Sequence, residues 1–256
     1  MIWPIAGAIV VAIALVLAYF LWFRHRQPPP PPPPVAAEQP AAAPAAASTT
    51  ATDDFQLPVL EASDAVVRQL AATLSSHPRL AAWLVNEDLV RRFTVAVTNL
   101  AEGITPRTHL AFMEPRQEFD VLQRGEAVVI DPRSYARFDT VVGVFESLDT
   151  AGVAQLFERF EPLMEEAYRD LGYPDGGFRA TLLRAIRELL ATPRLEGDPE
   201  VRAGVTSYTF ADPRLEGLSG AQKQLLRMGP RNVARVQAKL SEIALALGFS
   251  PDQFRD

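Results

Sequence analysis

The chain has 256 residues, three histidines, no cysteine and a formal net charge of −6. That excludes disulfides, thiolate nucleophiles and cysteine-ligated metals, and an acidic chain without a basic stripe is a poor match for nucleic acid. Lys223 and Lys239 are the only lysines, so arginine carries almost all of the positive charge.

Ile2 to Phe23 is an apolar run of 22 residues without a charge. At about 1.5 Å per helical residue it reaches about 33 Å, enough to span a hydrocarbon core of about 30 Å. Trp3, Tyr19 and Trp22 lie near its ends, where amphipathic rings prefer to sit. The run is longer than a signal-peptide core, and no Lys or Arg precedes it, so it reads as an uncleaved anchor with a basic flank over residues 1–26. Its partner is then the lipid bilayer, through residues 2–23. Arg24 and Arg26 follow the run, and the positive-inside rule taken literally keeps the rest of the chain cytoplasmic.

Residues 27–54 read QPPPPPPPVAAEQPAAAPAAASTTATDD. Pro28 to Pro34 predicts a polyproline II rod of roughly 20 Å, and the Ala/Ser/Thr stretch behind it has too little apolar surface to order itself. The segment reads as a disordered tether.

Residues 55–256 form the expected cargo, one mostly helical globular domain. Ser63 or Asp64 can cap a first helix that carries Val66, Val67, Leu70 and Leu74, and His77-Pro78 breaks it. Asn86 is placed to cap a second helix with Leu89, Phe93, Ala96, Val97 and Leu100, which Gly103 stops. After a proline-bearing loop, two short apolar runs around Arg124-Gly125 predict a β-hairpin over residues 118–131.

Pro132 opens a helix with Tyr135, Phe138, Val141, Val142 and Phe145. The next helix runs from Val153 to Leu171, and Pro162 must kink or divide it before Gly172 closes it. Tyr173 to Gly177 is a turn, and Phe178 to Leu190 another helix. Val205 to Phe210 alternates like a short strand that could pair with the hairpin. Ser219 caps a helix through Met228, and Gly229-Pro230 turns into a last helix. Its stripe of Val233, Val236, Leu240, Ile243 and Leu247 suits either the chain's own core or a homodimer seam. The sum is six or seven helices with a small antiparallel β element.

The vocabulary of catalysis is thin. His25, His77 and His109 share no helix face, and no GxSxG, Walker loop or GxGxxG occurs. No cofactor or metal is implied. Glu158, Glu161 and Glu165 share a helix face and, with Asp139 or Asp149, are the material for a carboxylate-based hydrolase; a salt-bridged face is the simpler reading. A binding or scaffolding role is therefore favoured over an enzyme. The expected working surface is the corner Tyr173-Pro174-Asp175-Gly176 together with Tyr135, Arg137 and Asp139, because loops on a rigid scaffold are where binding usually sits.

Tyr135-Ala-Arg-Phe-Asp139, Ser147-Leu-Asp149, Glu166-Ala-Tyr168, Leu171-Gly-Tyr-Pro-Asp-Gly176, Leu190-Ala-Thr-Pro193, Phe210-Ala-Asp-Pro213 and Gln224-Leu-Leu-Arg-Met-Gly229 together resemble a bacterial family catalogued only as domain of unknown function 3014. The similarity extends to Leu57–Asp64 and Arg91–Leu100. It implies an N-terminal anchor, a Pro/Ala-rich tether and a place in the Gram-negative envelope, with the C-terminal domain periplasmic, and it implies no activity. An envelope protein is then the expected partner, with a cytoplasmic-side adaptor as the alternative.

Overall fold

A computed structural model describes residues 55–173, 177–205 and 207–254. The expected anchor and tether lie outside the described residues, as do Pro174, Asp175 and Gly176. Among the described residues no helix is long and apolar enough to cross a membrane.

The first helix, α1 (Asp64–Ala71), is followed by a 3-10 turn to Leu74, and His77 then starts the short α2 (Pro78–Trp83). The first helix has already ended before the His-Pro pair expected to break it, and the pair instead begins the next: the His77 ring accepts from the Arg79 N–H at 3.2 Å. Asn86 does not cap the helix after it, contrary to expectation. Its amide donates to the Trp83 carbonyl and closes α2. The cap of α3 (Leu89–Ala101) comes from another helix: the Asp64 carboxylate accepts from the N–H groups of Asp88 and Leu89 at 2.8 and 2.9 Å. Asp88, at φ 57°, makes no capping hydrogen bond with its own side chain.

The hairpin forms where the two apolar runs predict it. β1 (Val121–Arg124) pairs antiparallel with β2 (Ala127–Ile130), Val121 opposite Ile130, and Gly125 takes φ 62° in the turn. The helix expected from Pro132 onwards is two: α4 (Pro132–Ala136) and α5 (Asp139–Glu146). Asp149 caps α6 (Thr150–Asp170) through the Gly152 N–H at 2.6 Å. Pro162 has no N–H to return to the preceding turn, yet α6 is one continuous helix through it, so of the expected kink or division the division does not occur.

After α7 (Phe178–Leu190), the strand expected over 205–210 is confined to β4 (Tyr208–Phe210). It pairs with β3 (Val201–Ala203), which the sequence did not announce, and not with the first hairpin; a single bridge between Val129 and Glu200 joins the two hairpins. The one-turn α8 (Pro213–Glu216) leads to α9 (Gly220–Leu226), held by a capping box between Ser219 and Gln222. Then follow α10 (Pro230–Ala246) and the one-turn α11 (Pro251–Phe254).

Two apolar clusters organise the packing. In the larger, α3 lies against α6 and α7, and α10 packs on both of the latter. Phe178 is fully buried at its centre, edge-on to Phe93 at 6.0 Å and stacked with Phe157 at 6.3 Å. A side chain of this kind contributes roughly 1.5–3 kcal/mol by burial. Ile243 and Leu247 of the last apolar stripe belong to the same cluster, and Val233 is 1% exposed, so the stripe is used inside the chain. The smaller cluster gathers Ile130, Val201, Phe210 and Leu226, with Phe119, Tyr135 and Tyr208 packed against it. The chain is thus mainly helical, with two small antiparallel hairpins.

Candidate functional site

The site is assembled around α4 and the start of α10. Asp131 caps α4 by accepting from the Arg133 N–H, and its other oxygen takes the Arg133 guanidinium at 2.6 and 2.9 Å. That guanidinium is the main reason the Asp131 carboxyl lies below its usual range. Ser134 stitches the helix to the hairpin: its hydroxyl donates to the Asp120 carbonyl and accepts from the Asp120 N–H.

This fixes Tyr135 above the Gly229-Pro230 corner. Gly229 has φ 86°, and a Cβ built there would fall 2.5 Å from the Tyr135 ring. One turn on, the Asn232 amide, 2% exposed, donates to the Asp139 carboxylate at 2.9 Å and to the Met228 carbonyl at 3.1 Å. Its oxygen accepts from Arg235, whose guanidinium also grips Glu146. That hydrogen bond is the chief cause of the lowered Glu146 pKa. The line Asp139–Asn232–Arg235–Glu146 therefore pins α5 to α10. Between these elements lies a groove of about 200 Å³, lined by Pro132, Tyr135, Ala136 and Asp139 on one side and Met228 to Asn232 on the other.

The Tyr135 hydroxyl is buried without a hydrogen-bond partner of acceptable geometry. Burial first, and then the neighbouring Asp198 carboxylate, push its pKa well above the usual phenol value. Asp198 is itself paired with Arg124 at 2.8 Å.

The expected surface residues separate. Tyr135 and Asp139 share the groove. Arg137, two residues from each, does not pair with Asp139. Its guanidinium lies over the rings of Phe138 and Phe119 at 4.8 and 5.3 Å, with Nη1 reaching the Gln117 carbonyl. Burial, then the nearby Arg227, depress its pKa. Tyr173 belongs to the helical cluster: it stacks on Tyr168 at 4.8 Å and donates to Glu102 at 2.5 Å. Asp175 and Gly176 lie outside the described residues.

Of the acids considered for hydrolysis, Glu161, Glu165, Asp149 and Asp139 have structural partners, and Glu158 is exposed. Glu161 takes Arg179 of α7 through both oxygens at 2.7 Å, and Glu165 accepts from the Phe178 N–H at 2.5 Å. Asp149 caps α6, and Asp139 holds Asn232. Among the described residues no three His, Cys, Asp or Glu side chains gather as a metal ion would need. Gly229, Asn232, Arg235 and Glu146 were not anticipated as part of the site. The one signal for Asn232 was a polar residue beside Val233 at the start of an apolar stripe.

Fold and site together define a mainly helical module with a shallow tyrosine-walled groove and acids employed in structure. The chain belongs to the family described as protein of unknown function DUF3014, whose model matches residues 89–244. The match runs from the first residue of α3 almost to the end of α10 and includes the groove and both hairpins; Leu57–Asp64 precede it. Neither the curated proteins nor the solved structures yield a match.

Proposed function

We propose that this chain is a membrane-tethered binding or scaffolding module of the bacterial cell envelope. Residues 1–26 anchor it in the inner membrane, 27–54 hold it off as a flexible tether, and 55–256 present a periplasmic protein-binding domain. The observation that carries the reading is the size and lining of the groove. At about 200 Å³ it falls below the roughly 300–1,000 Å³ of small-molecule sites, and it suits a side chain or turn of a partner protein. An aromatic wall, a rigid Gly-Pro edge and a carboxylate at the rim are the features of a socket that orients such a group. The employment of Glu161, Glu165, Asp149 and Asp139 in structural contacts favours this reading over a carboxylate hydrolase. Arg137, Tyr173, Asp175 and Gly176 are candidates for the wider footprint.

The test is a photo-crosslinking side chain at exposed Ala136 of the full chain in intact cells. A discrete partner adduct that is lost with Tyr135→Ala, and not formed from exposed Arg202, is the expected result. No adduct at Ala136 overturns the socket. Capture that survives Asp175→Asn undiminished removes the Tyr173–Gly176 corner from the footprint. A reporter fused after Asp256 decides the side of the membrane: activity confined to the cytoplasm replaces the periplasmic module with a cytoplasmic-side adaptor.

A further inference from the structure

Two arginines beside the smaller apolar cluster are half-buried without an acid. Arg137 follows α4 and Arg227 follows α9, so each adjoins in sequence a residue that lines the groove, Ala136 and Met228. Arg227 lies over the Phe210 ring at 5.3 Å and gives Nη2 to the Tyr208 carbonyl at 3.0 Å. The Tyr208 ring rests against Phe119 at 5.7 Å, and the Arg137 guanidinium lies over Phe119. The two cations thus share one aromatic ledge.

A cation taken out of water is as a rule paired. Among the described residues neither Arg137 nor Arg227 forms an ion pair. The acids around them are engaged elsewhere: Glu114 holds Arg107, Asp131 holds Arg133, and Glu216 holds Lys223 and the Phe210 N–H. Asp120 is exposed and acts on Arg137 only from a distance. Arg137 Nε is buried with no acceptor, and Nη1 has only the Gln117 carbonyl at 3.4 Å. Burial lowers the pKa of both arginines, and Arg227 lowers that of Arg137 further. Ring faces and the C-terminal ends of α4 and α9 make such cations tolerable, but they leave N–H edges open. Arg137 Nη2 and Arg227 Nη1 and Nε have no acceptor among the described residues.

We propose that Arg137 and Arg227 bind an acidic side chain of the protein that docks on the groove, so that the partner segment carries a glutamate or aspartate beside the group that enters the groove. The position of the partner rests on the groove reading; the chemistry of the contact rests on the arginines. A guanidinium fork matches a carboxylate with two parallel N–H···O bonds. Arginines backed by aromatic rings are also the residues on which interfaces concentrate their energy. The chain as a whole, at −6, repels an acidic partner. The attraction is therefore short-ranged and selects a segment that reaches both guanidinia.

The experiment is calorimetric titration of the detergent-solubilised full chain with a capped hexapeptide of alternating glutamate and glycine. The glutamine and lysine counterparts, acetate and inorganic phosphate are the comparison probes. Saturable binding of the glutamate peptide is expected, with none of the glutamine or lysine peptide, and it weakens as salt is raised. Arg137→Gln and Arg227→Gln each weaken it about tenfold, the effect of losing a charge-assisted hydrogen bond. Arg227→Lys keeps the charge, loses the fork and weakens it several-fold, which holds the test open if a Gln variant does not fold. Arg79→Gln, at an exposed arginine of α2, leaves it unchanged. The peptide has no side chain for the groove, so Tyr135→Ala also leaves it unchanged; a partner adduct at Ala136 without peptide binding spares the groove and overturns the arginine pair. Absence of saturable binding, equal affinity for the glutamine peptide, for acetate or for phosphate, or equal loss in Arg79→Gln likewise overturns the proposal.

Discussion

Gly229 sits so close to Tyr135 that a Cβ at position 229 would lie 2.5 Å from the ring's Cγ and 2.8 Å from its Cβ. Two independent constraints meet at this residue: the close approach, and a backbone with φ 86° and ψ 158° that side chains seldom adopt. Gly229→Ala is therefore expected to cost about 2–4 kcal/mol, combining backbone strain with displacement of a packed ring. Gly125, at φ 62° with nothing within 4 Å of a built Cβ, isolates the first effect. Its Ala variant should lose only about 1 kcal/mol. Urea unfolding of the two variants side by side checks the difference. Equal losses would mean that the Tyr135 contact adds nothing.

Two helices in this fold borrow their caps from elsewhere. Asp64 holds the first N–H groups of α3, and Glu165 holds the Phe178 N–H that opens α7. Loss of a cap of this kind costs about 0.5–2 kcal/mol. Asp64→Ala and Glu165→Ala should each fall in that range, with Asp64→Asn and Glu165→Gln milder because an amide oxygen still accepts. The two pairs are far apart in sequence and share no partner, so the double Ala variant should show nearly additive losses in chemical denaturation.

Acid should destabilise the domain through identifiable groups. Arg133 lowers Asp131, Arg235 lowers Glu146, and Lys223, with the Phe210 N–H, lowers Glu216. Each carboxyl has a lower pKa folded than unfolded. The unfolded chain therefore takes up protons first as the pH falls. The stability these contacts give is present above the ordinary carboxylate range of about 3.9–4.3, and is lost as pH drops through the lower folded values. The urea midpoint should be nearly flat from neutral pH down to about 5 and fall steeply below about 4. Glu146→Gln should lower the midpoint at neutral pH and make the acid limb shallower. A limb of unchanged steepness would show that Glu146 does not contribute to it.

What could be read from the sequence follows from the range of the interactions. Elements defined by their own residues were legible: the apolar spacing of α3, α6, α7 and α10, the Ser219 cap, the Asp149 region, and the Gly103 and Gly172 stops. The first hairpin was legible because its apolar runs and turn are contiguous. Features supplied from a distance were not. Asn86 looked like the cap of α3, but the acceptor was Asp64, 24 residues from Asp88. β3 is three residues long, too short to show an alternation. The acidic stripe of α6 was read as a salt-bridged face, and Glu161 is ion-paired, but nothing local reveals that the partner is Arg179 of α7 or that Glu165 takes the Phe178 N–H. The groove had a mixed outcome for the same reason. Tyr135 and Asp139 are one helical turn apart in sequence and meet through Asn232, a residue from α10. Tyr173 was grouped with them by its turn composition, whereas packing against Tyr168 and Glu102 decides where its ring goes.

Tyr135 itself separates into a ring and a hydroxyl with different roles. The ring packs against Gly229 and walls the groove. The hydroxyl is buried beside Asp198 without a well-formed hydrogen bond, and its raised pKa keeps it protonated throughout the neutral range. Burying a hydroxyl that lacks a partner costs about 1–3 kcal/mol, so removing it should release part of that. Tyr135→Phe is therefore expected to leave stability unchanged or raise it by up to about 1 kcal/mol, while Tyr135→Ala costs about 3–5 kcal/mol through the lost ring. The same pair bears on binding. If the ring is what a partner meets, crosslinking from Ala136 survives in Tyr135→Phe. Loss of the adduct in a Tyr135→Phe variant as stable as the parent would place the recognition on the hydroxyl and overturn the assignment of the groove as an aromatic socket.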